Sequence, residues 1–141
     1  MIPRSALWLG LAGLIPFAGL ALIGLAAVPT PVRGWEDRIM LHYGVVILSF
    51  MSGVLWGFAT KATGRAAAMG YGLSVIPALW AFFTTMGPTP QAISALMLGF
   101  VGLLGLDCYF WRQGLAPAWW MRLRLILTFG VLASLAIGLY L

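Results

Sequence analysis

Residues 43–60 read YGVVILSFMSGVLWGFAT, a run that contains no charged side chain. Such a run is long enough for a membrane-crossing helix, because about 20 apolar residues at ~1.5 Å each cover the ~30 Å of hydrocarbon in a bilayer. The whole chain agrees: of its 141 residues 62% are hydrophobic and 8% are charged, whereas a soluble domain carries about 25% charged residues. We therefore expect an all-α integral membrane protein.

Four further apolar stretches have a similar length. The five predicted spans cover about residues 5–28, 37–60, 66–86, 91–111 and 117–141. The connections between them are short and rich in glycine and proline, so spans that follow each other in sequence should lie side by side and antiparallel. Gly64 and Gly114 are placed where a C′ glycine would end the second and fourth helices. We predict one five-helix transmembrane domain, residues 1–141.

Two prolines lie inside predicted spans, in the similar contexts GLIP (13–16) and SVIP (74–77). Pro16 and Pro77 should each kink the helix and free a backbone carbonyl, because proline lacks an N–H donor. The likeness suggests that the first and second spans, and the third and fourth, are related hairpins.

Basic residues are distributed unevenly between the two ends of the spans. On the side of the N-terminus we expect Arg4, Lys61, Arg65, Arg112, Arg122 and Arg124. The opposite side has Arg33 and Arg38, offset by Glu36 and Asp37. By the positive-inside rule, this predicts a multi-pass protein of the bacterial inner membrane, with a cytoplasmic N-terminus and a periplasmic C-terminus. In an organelle, the side of the N-terminus would be the matrix.

Small residues recur at helical spacing in two of the spans. They are Ser49, Gly53 and Gly57 in the second span, and Gly99, Gly102 and Gly105 in the fourth. Small residues let membrane helices approach closely and gain dispersion contacts. The two faces should therefore be packing surfaces, either against each other inside the bundle or against a partner protein.

Asp107 is the one acid inside an apolar run. A carboxylate in a membrane span is costly unless it is paired, and three arginines lie near the same end of its helix: Arg112, Arg122 and Arg124. We expect a buried ion pair that joins the fourth helix to the fifth. A proton or ion relay would need more acids or histidines along a path, and the sequence has none.

His42 is the single histidine and is followed by Tyr43. Structural or interface hydrogen bonding is the favoured interpretation. A metal or quinone contact with Met40 is the alternative, although residues two apart on a helix point in different directions. No serine nucleophile with a base, phosphate-binding loop, zinc motif or paired carboxylate is present. We expect no catalytic residues and no cofactor, but bound lipid.

Several stretches together carry a family resemblance: residues 43–57, Leu106-Asp107, residues 115–124 and residues 13–16. They resemble the bacterial family called domain of unknown function 3429, to which the mitochondrial transmembrane protein 69 family is similar. Ser52 departs from the glycine expected in that pattern. The resemblance implies a small five-span inner-membrane protein shared by proteobacteria and mitochondria, and this distribution suggests a link to energy-transducing complexes.

The function expected from these observations is that of a non-catalytic accessory or assembly subunit on a larger membrane complex, such as a respiratory complex or supercomplex. Its partners would be lipids and the subunits of that complex. Nucleic acid is not expected, because the cations lie in short loops between apolar spans. A small transporter or channel, and a protein that handles a metal or cofactor, are the alternatives.

Overall fold

The structure is a computed structural model that describes residues 1–26 and 35–140. The predicted end of the first span at residues 27–28, Arg33 and residue 141 lie outside this part. Within it, all regular structure is helical: α1 (Arg4–Gly13), α2 (Ile15–Ala26), α3 (Glu36–Ala59), α4 (Gly64–Ser74), α5 (Ile76–Thr84), α6 (Thr89–Arg112) and α7 (Trp120–Tyr140).

These elements make five helices that are long and apolar enough to cross a membrane, because α1 continues into α2 and α4 into α5. The predicted all-helical fold with five spans is confirmed. One boundary differs by three residues. The last helix begins at Trp120 and not at Pro117, because residues 117–120 form a turn in which the Trp120 N–H donates to the Pro117 carbonyl at 3.0 Å.

The spans form a ring in which each contacts the next and α7 returns to α1 and α2. Helices α3 and α6 also pack against each other across this ring. Their facing side chains include Leu48 and Leu55 on α3 and Leu96, Phe100 and Leu103 on α6, all of them fully buried. The core of the bundle is therefore the α3–α6 contact, with the other spans packed around it.

The first span is interrupted where Pro16 predicts it. Helix α1 ends at Gly13, Leu14 forms a turn, and α2 starts at Ile15. The Tyr43 hydroxyl on α3 donates a hydrogen bond of 2.9 Å to the carbonyl of Gly13, three residues before the proline. A side chain of a neighbouring helix thus satisfies a backbone group in a region without water.

The third span repeats this arrangement. Helix α4 ends at Ser74 and α5 starts at Ile76, beside Pro77. The Ser52 hydroxyl on α3 donates to the carbonyl of Ser74, again three residues before the proline. The same hydroxyl accepts a bond of 3.1 Å from the Ala78 N–H. Both helix breaks are therefore satisfied by hydroxyl groups of α3.

The two glycines predicted to end helices behave differently. Gly114 has a φ of +75° and follows α6, where the Leu115 N–H donates to the Phe110 carbonyl and the Gly114 N–H to that of Trp111. This is a Schellman motif, as expected for a C′ glycine. Gly64 also has a positive φ, +60°, but α3 already ends at Ala59 and Gly64 opens α4. Its predicted role in ending the second helix is wrong.

Replacing Ser52 with alanine should lower the free energy of unfolding by about 1 kcal/mol, because the Ser74 carbonyl and the Ala78 N–H lose their shared partner. Denaturant titration of the purified protein in detergent micelles would measure this loss. Ser94→Ala is a matched control, since the exposed Ser94 hydroxyl bonds to Pro90 of its own helix and to no other described residue. The loss of stability in this variant should stay below about 0.5 kcal/mol. Equal losses in both variants would contradict the bridging role of Ser52.

Candidate functional site

A buried ion pair joins α6 to α7. The Nε of Arg124 donates to Oδ2 of Asp107 at 2.8 Å, and the Trp120 indole N–H donates to the other carboxylate oxygen at 3.0 Å. The Asp107 side chain is fully buried and that of Arg124 is 5% exposed. Opposite charges and an extra donor together make this carboxylate tolerable inside a membrane protein.

The positions of these residues follow from the helical hairpin. Asp107 lies near the end of α6 and Arg124 near the start of α7, so the antiparallel turn between them brings both to the same level. Trp120, Arg124 and Thr128 recur at i, i+4 and are all buried, so they share one inward face of α7. Arg124 Nη2 donates to the Thr128 hydroxyl at a long 3.4 Å.

The other two arginines expected at this pair are elsewhere. Arg112 and Arg122 are exposed, and neither contributes to the buried cluster. The reason is geometric: Arg122 is two residues from Arg124 and points to the opposite side of α7, while Arg112 is five residues from Asp107 and faces away along α6. Sequence reasoning also missed Trp120 and Thr128, whose four-residue spacing around Arg124 was the available signal.

A cleft of about 270 Å³, which we name the Arg124 cleft, opens between α1, α2, α3, α6 and α7. Its rim includes Leu9 and Phe50, which are 75% and 67% exposed, while its deeper lining includes Phe17 and Phe100, both almost fully buried. Arg124 is the one polar side chain among the described residues that line it. The cleft thus connects an apolar surface with a buried guanidinium group.

The glycines predicted to pack are mostly on the outer surface. Gly53, Gly57, Gly102 and Gly105 are exposed, and a Cβ atom built on any of them would meet no atom of the described residues within 4 Å. These two faces therefore do not pair with each other, which was one of their two predicted uses. The first residue of each repeat is more enclosed: Ser49 is half-buried and Gly99 is buried.

Close helix contacts inside the bundle use Gly99 and glycines that were not singled out. A Cβ at Gly99 would lie 2.8 Å from both Leu48 and Trp80, and one at Gly70 would lie 2.9 Å from the Ala59 Cβ. Gly44 faces Leu96 and Gly130 faces Leu14 in the same manner. Since these positions show no common spacing in the sequence, periodicity could not identify them.

The residues around His42 do not form one site. His42 is exposed, Met40 is buried in the core with its sulfur near Gly138, and Tyr43 bonds to Gly13. The three side chains diverge, as the helical geometry requires. In residues 1–26 and 35–140, no three histidine, cysteine, aspartate or glutamate side chains come together as a metal site would require.

Comparison with known proteins places this architecture in a family. Residues 2–140 match the family described as "Protein of unknown function (DUF3429)". The chain belongs to the DUF3429 family. This confirms the resemblance read from its motifs, and no solved structure matches the chain.

Two curated relatives of this DUF3429 protein are vertebrate proteins called Transmembrane protein 69. The one from Xenopus tropicalis is 35% identical over 138 residues, covering 94% of this chain and 53% of the relative. The one from Mus musculus is 27% identical over 144 residues, covering 99% and 57%. The chain spans about half the length of these relatives. With its five candidate spans, the DUF3429 protein is a multi-pass membrane protein.

Arg124→Leu should lower the free energy of unfolding by about 3 kcal/mol or more, because it leaves the Asp107 carboxylate buried without a counter-charge. Adding Asp107→Leu to this variant should recover part of the loss, since replacing both charges with apolar groups is often close to neutral. Unfolding in detergent micelles measures both effects.

The control for this series is Arg122→Leu, which removes an exposed arginine two residues away on the same helix. Its effect should stay within about 0.5 kcal/mol. If Arg122→Leu were as destabilising as Arg124→Leu, the buried pair would not be the source of the effect.

Proposed function

We propose that this protein is a non-catalytic accessory or assembly subunit that docks on a larger energy-transducing complex of the bacterial inner membrane, namely a respiratory one. The N-terminus is cytoplasmic and the C-terminus periplasmic in this proposal. Its central support is the outward position of the glycines on α3 and α6.

Glycine inside a helix is unfavourable by about 1 kcal/mol relative to alanine. In membrane proteins the compensating gain is a close approach of another helix. At Gly53 and Gly57 on α3 nothing in the described chain makes that approach. A helix of a partner subunit is the occupant that this surface fits, because it would place its own backbone against these positions.

A second surface beside α6 supports docking. A groove of about 440 Å³ runs between α5 and α6, and its lining includes Trp80, Leu98 and the exposed Gly102. The Trp80 indole N–H donates to the Ala95 carbonyl at 2.6 Å, so the ring is held in place and its polar atom is satisfied. The groove therefore offers an apolar surface of defined shape to an apolar side chain of a partner.

The proposed orientation is supported by a contact between two loops. Lys61, just after α3, donates to the Leu115 carbonyl in the loop after α6 at 3.2 Å. These two loops are thus at the same end of the bundle, where Arg65, Arg112 and Arg122 are also exposed. A cationic end of this kind favours the cytoplasmic side.

The non-catalytic character is supported by the chemistry of the buried cluster. Asp107 and Arg124 neutralise each other and sit against a tryptophan and a threonine, so neither has a free role as an acid or base. The energy-transducing host is supported by the resemblance to a mitochondrial family as well as a bacterial one.

Introducing leucine at both Gly53 and Gly57 should abolish co-migration with a larger complex, because the new side chains would keep a partner helix at a distance. The fold should tolerate them, since no atom of residues 1–26 and 35–140 lies within 4 Å of a Cβ at either position. The measurement is native electrophoresis of membranes solubilised in mild detergent, with crosslinking mass spectrometry to identify neighbours.

Gly72→Leu is the matched control, because Gly72 is exposed on α4 and a Cβ added there would meet nothing within 4 Å in the described part of the chain. It also lies outside both glycine faces. It should co-migrate like the wild type. A wild-type protein that always migrates alone, or a double variant that still co-migrates, would reject the proposal.

A further inference from the structure

We propose that the Arg124 cleft binds a hydrophobic molecule that carries a neutral carbonyl oxygen. A membrane quinone and the acyl ester of a glycerolipid both have this chemistry. The site combines an apolar cleft open to the surface of the bundle with one buried side chain that donates hydrogen bonds. It does not include the glycine positions on α3 and α6 that we propose for docking.

The donor is the guanidinium group of Arg124. It has five N–H bonds, of which one donates to Asp107 and one makes the long contact to Thr128. Among the described residues no other hydrogen-bond acceptor engages this side chain. Buried hydrogen-bond donors are normally satisfied. Arg124 as a whole residue is only 4% exposed, and it lines the cleft. Its remaining N–H groups are therefore available to an acceptor that enters the cleft.

The charge of the cluster selects the kind of acceptor. Asp107 already balances the positive charge of Arg124 at 2.8 Å, so the pair is formally neutral. An anionic ligand such as a fatty-acid carboxylate would add an uncompensated negative charge to a buried site, which is costly. A carbonyl oxygen accepts a hydrogen bond without bringing a charge.

The shape of the cleft fits an apolar molecule that enters from the bilayer. Leu9 and Phe50 form an exposed apolar rim, and Phe17 and Phe100 form a buried wall. A volume of about 270 Å³ is near the lower end of known ligand pockets, about 300 Å³, so it would hold a ring or a segment of acyl chain. Arg124 is four residues into α7, about 6 Å along its axis, close to the boundary where polar and apolar parts of such molecules meet.

Binding can be tested on the full chain in detergent micelles with two separate probes. One arm uses decyl-ubiquinone and the other uses dioctanoyl phosphatidylcholine, each titrated while the melting temperature is followed. A ligand of the native state raises that temperature in a saturable manner. A rise with the quinone alone identifies a quinone-type ligand, and a rise with the lipid alone identifies an acyl ester. A rise with neither probe overturns the proposal.

The position of the site is tested by variants and by labelling. Ile47→Phe places a larger side chain in the lining of the cleft. It should weaken binding of the probe that raised the melting temperature at least 10-fold, whereas Leu98→Phe in the α5–α6 groove should leave binding of that probe unchanged. Should Ile47→Phe fail to fold, the wild type is photolabelled with an azido derivative of the probe that raised the melting temperature. Labels on residues that line the cleft, which belong to α1, α2, α3, α6 and α7, support the site. Labels confined to other segments, or undiminished binding by a folded Ile47→Phe protein, overturn it.

Discussion

The structure depends on a constraint set by the bilayer: a backbone group released inside hydrocarbon must find a partner in the protein. Pro16 and Pro77 create this need in two spans, and α3 meets it in both. Tyr43 reaches the carbonyl of Gly13, and Ser52 connects the carbonyl of Ser74 with a neighbouring amide. Helix α3 is consequently more than a core helix packed against α6. It donates hydrogen bonds to both interrupted spans at their breaks.

The first of these bends and the buried ion pair meet at one place. Gly13 and Leu14, at the break between α1 and α2, line the same cleft as Arg124 on α7. The break thus contributes residues to the wall of the cleft, while Asp107 holds the Arg124 guanidinium through a 2.8 Å ion pair. Trp120 connects this ion pair with α3, because its indole N–H donates to Asp107 and its ring packs edge-on against Phe58 of α3, with ring centroids 5.0 Å apart. The polar cluster is therefore tied to the same central helix as the prolines.

Sequence reasoning was sufficient for the spans, the proline breaks and the C′ role of Gly114, because each depends on local properties such as hydropathy, a missing N–H or a positive φ. It also identified Asp107 as a buried acid with an arginine partner. It could not choose Arg124 over Arg112 and Arg122, because that choice depends on the rotation of α7 about its own axis. The family pattern marked Ser52 only as a departure from glycine, and its role became visible once α3 and the α4–α5 break lay side by side.

The glycines show most directly what a sequence pattern cannot decide. Spacing of three or four residues defines a narrow face on a helix, but it does not say which way that face points. Gly99 begins its repeat inside the bundle, whereas Gly102 and Gly105 have turned to the outside. Apart from Gly99, the glycines that permit close contacts within the chain, such as Gly70 against Ala59, belong to neither of the two predicted faces. The glycines that the described part of the bundle leaves uncovered are thus not needed for its own packing, since the fold meets its need for close approach at other positions.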